Sequence, residues 1–302
     1  MTEARRDFIA AQQRILGRCG IDAESRFVNA SVVDGKAHVL ITGEGPAVLM
    51  VNGIGLPAAM WAPLIAKLEG IRVFAVDLPA YGLTDGSSHF TEDLRRSAVD
   101  FLTEVLDGLE LGATAILANS LGSLLTSWLA LDRPERVRAL VHVGCPAIVL
   151  DTSAPVPIRL LSVPLLGRLL TRIRPPSEGQ VTELSRIVNE YPLSPEVADL
   201  ILKTERLPDY RGTFLATVGS LIRLRGSRPA MSLTVGHLER IFQPTLVFWG
   251  ERDPFGSVAV GERMVSVMPD AELQVVGGGH APWLTQSDRI GPLASRFIQE
   301  HS

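Results

Sequence analysis

The sequence predicts an α/β protein: a mostly parallel sheet covered on both faces, whose strand–helix alternation is interrupted once by a long helical stretch. Three observations predict it. Short apolar, partly β-branched runs alternate with stretches of helical periodicity up to about residue 143. The rhythm then stops, and residues 151–240 hold helical periodicity and prolines with almost no strand signal. It resumes at residue 244 and runs to the end. Parallel strands need crossovers, and helical crossovers cover both faces of a sheet.

Residues 7–16 read as a short helix within a lead-in of residues 1–25. Runs 26–33 and 36–41 flank Asp34-Gly35, a tight-hairpin signal. Residues 47–51 form a buried strand that ends at Asn52-Gly53-Ile54-Gly55. Residues 57–68 are helical, 73–77 a strand, and Leu78-Pro79-Ala80-Tyr81-Gly82 a turn-rich loop. A long helix over 93–109 precedes a strand over 113–118, a helix over 121–131 and a strand over 139–143. After the helical stretch come a strand (244–249), a helix (258–268), a strand (273–276) and a closing helix (287–300). The expected organisation is therefore a core of residues 26–150 and 241–302 with a helical insertion, 151–240, in which twelve Lys/Arg face nine Asp/Glu.

The chain has 302 residues, enough to bury one large core carrying an insertion. Its apolar share of 46% and charged share of 21% are those of a soluble globular protein, and a net charge of −4 gives no reason to expect nucleic acid. Cys19 and Cys145 stand far apart without metal-type spacing, so both are expected to be reduced, in a cytosolic protein. The first 16 residues carry Glu3, Arg5, Arg6, Asp7 and Arg14, and no unbroken apolar segment follows, which argues against a secretory signal. The oiliest region, 154–170, is broken by three prolines, Arg159 and Arg168; no membrane span is expected.

The chemistry centres on Ala118-Asn119-Ser120-Leu121-Gly122, between an apolar run and a helical one. Small residues allow a sharp strand-to-helix turn, which would expose the Ser120 hydroxyl at a helix N-terminus, where free N–H groups favour negative charge. An ordinary N-cap serine is the simpler alternative. A serine hydroxyl needs a base, and the base needs an orienting group. Of six histidines, His280 differs: it follows a strand and Gly277-Gly278-Gly279 and precedes Ala281-Pro282-Trp283. The segment Phe248-Trp249-Gly250-Glu251-Arg252-Asp253-Pro254 supplies the carboxylate, Asp253 by preference because Pro254 fixes the turn after it, with Glu251 in reserve.

Ser120, Asp253 and His280, in that order and each after its own strand, resemble the α/β-hydrolase fold superfamily over nearly all of residues 26–300. The segment Asp77-Leu78-Pro79-Ala80-Tyr81-Gly82-Leu83-Thr84-Asp85 is similar to the family's loop after its next core strand, and the insertion to its helical cap. The resemblance implies an oxyanion hole from the backbone N–H groups of Ile54 and Leu121, on a loop supported by Asn52, Gly53 and Gly55. Asn52 departs from the family's usual histidine, which puts the geometry of that loop in question more than the chemistry; Ala118 and Ala80 replace usual glycines and Ser123 a frequent second one, but as small residues they still allow the turns. Asn119 beside the serine resembles the C–C bond hydrolases of ring-fission products; Ser120 disfavours the members that attack with aspartate.

The expected activity is hydrolysis of a carboxylic ester, lactone or similar acyl bond of a mainly hydrophobic small molecule, with no metal or organic cofactor. The alternative is C–C hydrolysis of a dienoic keto acid, which requires a cation near the serine; Arg159, Arg168 and Arg223 are candidates. Lactonase, thioesterase, acyltransferase and perhydrolase activities use the same machinery, and a non-catalytic ligand-binding receptor is the alternative of another class. Asn119, Trp283, Leu161 and Leu165 are candidate pocket-lining residues; Pro155, Leu160, Val163 and Leu166 belong with the last two as a candidate apolar lid, unless they pack within the insertion. Trp61 and Trp128 are expected in the core. The partner is a small-molecule acyl substrate, and the chain a monomer or homodimer.

Overall fold

Runs of five to eight residues, mostly β-branched and apolar and too short for helices of their own, build one sheet. The computed structural model describes residues 1–33, 35–87 and 89–302. Helix α1 (Glu3–Arg18) precedes β1 (Glu24–Ala30), β2 (Gly35–Thr42) and β3 (Ala47–Val51). Then follow α2 (Ala62–Ile65), β4 (Arg72–Val76), α3 (Leu94–Gly108), β5 (Thr114–Ala118), α4 (Leu121–Asp132) and β6 (Val137–Val143). Between β6 and the next sheet strand lie α5 (Val156–Leu161), α6 (Pro164–Ile173), α7 (Glu178–Ile187), α8 (Pro195–Glu205) and α9 (Tyr210–Leu221), a small hairpin of β7 (Ile222–Arg223) and β8 (Gly226–Ser227), and α10 (Val235–Leu238). The chain closes with β9 (Thr245–Gly250), α11 (Val258–Val267), β10 (Ala271–Val276) and α12 (Trp283–Glu300).

The eight-stranded sheet has the order β1-β2-β4-β3-β5-β6-β9-β10. β2 pairs antiparallel with β1 and β4; every other pairing is parallel. All five residues of β5 are buried, as befits a central strand covered by helices on both faces. The order makes β3 and β5 neighbours, so the loop after Val51 and the turn after Ala118 emerge side by side. No described helix is long and apolar enough to cross a membrane.

Two boundaries differ from expectation, and one signal lies outside the described residues. The hairpin signal rests on Asp34, which lies outside the described residues; β1 and β2 pair in register from Ala30↔Gly35 to Glu24↔Ile41. β1 stops at Ala30, and Ser31–Val33 forms a 3-10 turn because the Glu104 carboxylate on α3 takes the Ser31 N–H at 2.7 Å, drawing the chain off the ladder. α12 begins four residues early, at Trp283, and carries a non-helical residue at Gln286, where two helical stretches meet.

His142 on β6 is a structural histidine. It is fully buried, and neither ring nitrogen has a hydrogen-bond partner among the described residues. Burial pushes its pKa down to about 4, so the folded chain refuses a proton that the unfolded chain accepts below about pH 6.5. Stability is therefore lost as pH falls from about 6.5 towards 4, by about 3 kcal/mol from this group. Replacing His142 with Leu should flatten the pH dependence of urea unfolding across that window; parallel slopes for the two proteins would assign the acid sensitivity elsewhere.

Candidate active site

The turn from β5 into α4 puts Ser120 in a backbone conformation that non-glycine residues rarely adopt, φ 50° and ψ −113°. Crowding holds it there. A Cβ on Gly122 would lie 2.2 Å from the Val51 carbonyl oxygen, so glycine lets the first turn of α4 sit against the end of β3. The Ser120 carbonyl accepts from Leu124 N–H at 3.1 Å and Ala147 N–H at 2.9 Å, fixing the serine from behind. Its side chain borders a cavity of about 190 Å³.

Asp253 lies in the loop after β9. Its Oδ2 accepts from the Cys145 N–H at 2.9 Å and its Oδ1 from the Phe255 N–H at 2.9 Å. The same two oxygens lie 2.9 and 3.1 Å from His280 Nδ1. That contact places a proton on Nδ1 and leaves Nε2 as the acceptor. Phe255 stacks on the imidazole with centroids 3.9 Å apart, fixing the ring plane. His280 Nε2 is buried and has no hydrogen-bond partner among the described residues, while His280 and Ser120 border the same cavity. The structure thus joins imidazole and carboxylate directly and brings the serine to the same space without a serine–imidazole hydrogen bond. Glu251, the reserve carboxylate, is exposed.

A second Ser–His–Asp array shows what distinguishes this one. His38 Nδ1 lies 2.7 Å from Asp77 Oδ2, and its Nε2 is bonded to Ser25 Oγ. Asp77 also accepts from Ala58 N–H at 2.6 Å and Leu83 N–H at 2.8 Å, tying two loops beneath the sheet end. Both nitrogens of His38 are spoken for, and none of the three residues borders the Ser120 cavity. No motif announces this pairing, because His38 sits on a plain hairpin strand.

Ile54 and Leu121 both border the cavity. Leu121 is the first residue of α4, so its N–H has no intrahelical acceptor. Asn52 braces the other loop from inside: it is fully buried, its Oδ1 accepts from the Gly53 N–H at 3.1 Å, and its Nδ2 donates to the Pro57 carbonyl at 3.1 Å. Gly53 and Gly55 also border the cavity. Asn119 reaches past the wall: its Nδ2 donates to the Val143 carbonyl at 2.7 Å and the His280 carbonyl at 3.0 Å.

Two pocket candidates are corrected. Trp283 is fully buried away from the cavity; its indole N–H donates to the Met60 carbonyl at 3.1 Å and its ring packs on Trp61 at 4.4 Å, making it a core residue. Leu165 is 81% exposed, because α6 turns Gly167 inward and residue 165 falls on the opposite face. Of the apolar lid candidates only Leu161 borders the cavity. Much of the wall comes from the later part of the insertion, through residues without a motif in the sequence: Leu184, Val188, Ile201, Tyr210 and Phe214. The i,i+4 pair Tyr210 and Phe214, stacked at 5.6 Å, was the available signal. Among the described lining residues there is no Lys or Arg.

Comparison with known proteins agrees with this architecture. The sequence profile of the alpha/beta hydrolase fold family matches residues 46–286. Over 293 residues the chain is 29% identical to a protein named 2-hydroxy-6-oxononadienedioate/2-hydroxy-6-oxononatrienedioate hydrolase from Burkholderia vietnamiensis, covering 92% of this chain and 96% of that one. A protein of the same name from Cupriavidus pinatubonensis is 31% identical over 280 residues, covering 86% and 90%. Among solved structures, carboxylesterase CesB from Bacillus subtilis superposes with a TM-score of 0.79 at 22% identity, covering 98% of this chain and 99% of that one. Sheet order, sequence profile and full-length relatives agree: the chain is a hydrolase and belongs to the α/β-hydrolase fold family.

Proposed function

We propose that this protein hydrolyses the carbon–carbon bond beside the ketone of a dienoic keto acid, with Ser120 as nucleophile, His280 as base and acid, and Asp253 as the group that orients and charge-balances His280. The observation that carries the reading is the Asp253–His280 pair and Ser120 on one cavity, in a chain 29–31% identical over nearly its full length to relatives named for such substrates. Of the two activities expected from the sequence, those names favour the C–C alternative over the ester reading.

The steps follow from the geometry. Ser120 Oγ adds to the ketone carbon while His280 Nε2 takes its proton. The oxyanion rests on the N–H groups of Ile54 and Leu121, each donor worth about 3 kcal/mol. In the diketo tautomer of the substrate, where the carbon beside the ketone has taken up the enol proton and is sp3, the C–C bond then breaks. Its electron pair moves into the conjugated keto-acid fragment, the imidazolium returns the proton to that fragment, and an acyl-serine remains. Water, deprotonated by His280, adds to the acyl carbon and releases the acid and Ser120. For the substrate carboxylate, Arg159 is the best-placed of the three arginines considered. It neighbours cavity-lining Ile158, and its Nε is buried without a hydrogen-bond partner among the described residues. Arg168 and Arg223 border separate surface clefts.

Ester hydrolysis is the second reading, and the apolar lining without Lys or Arg favours it. It uses the same residues with an alcohol as leaving group. Cys19 and Cys145 are both free thiols, which fits a reducing compartment such as the cytosol.

Two measurements test this. A phosphonate probe should add to Ser120 in a tryptic digest of the labelled protein, and Ser120→Ala should abolish both labelling and turnover; labelling elsewhere, or full activity in the variant, would remove the nucleophile. Arg159→Gln should raise KM for a 2-hydroxy-6-oxo dienoic acid about tenfold or more, the value of a charge-assisted hydrogen bond, and leave a neutral p-nitrophenyl ester unaffected. Rapid ester turnover with no cleavage of the keto acid would transfer the assignment to the ester reading.

A further inference from the structure

The loop carrying His280 is held from outside the core, by the stretch that follows α7. Three consecutive amides donate to it. Gly279 N–H bonds Glu190 Oε1 at 2.7 Å, His280 N–H bonds the Val188 carbonyl at 3.0 Å, and Ala281 N–H bonds the same Glu190 Oε1 at 2.9 Å. The two chains lie so close that a Cβ on Gly279 would stand 2.2 Å from the Val188 carbonyl oxygen. Asn189, between them, donates its Nδ2 to the Arg252 carbonyl at 2.7 Å and so grips the Asp253 loop as well.

Glu190 is unusual in this setting. It is 4% exposed, borders the catalytic cavity, and forms no ion pair with Lys or Arg among the described residues. Burial raises its pKa, and the Ala281 and Gly279 amides and the nearby His280 oppose that shift. A neutral glutamine would accept the same two backbone bonds without a buried charge. What a carboxylate adds is a field at the one neighbour whose charge changes in the proposed cycle. The other groups facing His280 are the Asp253 carboxylate at Nδ1, the Phe255 ring on its face and Ser120 across the cavity; Glu251 and Arg252 turn their side chains to solvent.

We propose that Glu190 is a positioning residue for the base: its carboxylate clamps the amides on either side of His280 and stabilises the imidazolium that forms when Ser120 is deprotonated. This rests on His280 being the base, and the test separates the two claims. The full-length protein, Glu190→Gln, Glu190→Ala and His280→Ala are compared by the second-order rate of Ser120 phosphonylation with a p-nitrophenyl phosphonate from about pH 5 to 9.

Glu190→Gln should keep the wild-type melting temperature, move the acid limb of the rate profile to lower pH by about half a unit to one unit, and slow the plateau about threefold to tenfold. Glu190→Ala, which loses the clamp as well, should be slower still. A Glu190→Gln profile that overlays the wild type overturns the proposal, including where Glu190→Ala fails to fold, since the clamp alone would then suffice. If His280→Ala reacts as fast as wild type, the base assignment itself falls; if it is inert while Glu190→Gln is unchanged, only the role of Glu190 falls.

Discussion

One side-chain amide ties the site together. Asn119 Nδ2 donates to the last carbonyl of β6 and to the carbonyl of His280, while its own backbone is part of the turn that strains Ser120. The ends of β5 and β6 and the loop after β10 are thereby locked to one another at the residue beside the serine. Neither bond is made by a group that reacts, and both acceptors are buried carbonyls that would otherwise lack a donor from water. The strain at Ser120 persists because surrounding contacts over-determine it: two amides on its carbonyl and the close approach of α4 to β3 at Gly122. A serine whose backbone is held in that way needs no main-chain rearrangement to face the cavity.

The two Ser–His–Asp arrays in this chain separate composition from chemistry. In the Ser25–His38–Asp77 array both imidazole nitrogens are matched inside the protein, and Asp77 also accepts from loop amides. Such an array cements a sheet end. In the other, Asp253 is equally well bonded, yet His280 keeps Nε2 buried and unpaired beside a cavity. A buried acceptor without a partner is costly in a structure that only needs to be stable. Its persistence on the cavity that Ser120 also lines is what the proposed proton transfer uses.

Much of this was legible because strands announce themselves. The residues after the β5, β9 and β10 segments were readable as loop residues from apolar run length alone, and the chain places Ser120, Asp253 and His280 in those loops. The helical insertion was harder. Periodicity gives the width of an apolar face but not which way it turns, so Leu165 fell on solvent while Leu161, four residues earlier in a different helix, fell on the cavity. Trp283 misled for another reason: three residues after His280 is near in sequence, but α12 starts there and turns the indole down onto Trp61. Glu190 carried no signal, since a lone acid between helical runs has the pattern of a solvated loop charge.

The insertion is therefore unequal along its length. Midway along it, residues 188–190 make four hydrogen bonds to the loops of His280 and Asp253, each worth roughly 0.5–1.5 kcal/mol, so lifting that stretch would disorder His280 along with it. Earlier along it, α6 buries only Gly167 and leaves Leu165, Leu169 and Ile173 exposed. Few buried apolar contacts mean a low local unfolding cost. Since the cavity wall includes Leu161 and Ile158 of α5, which packs directly on α6, entry by displacement of α5 and α6 leaves the His280 clamp intact, whereas entry past α7 does not.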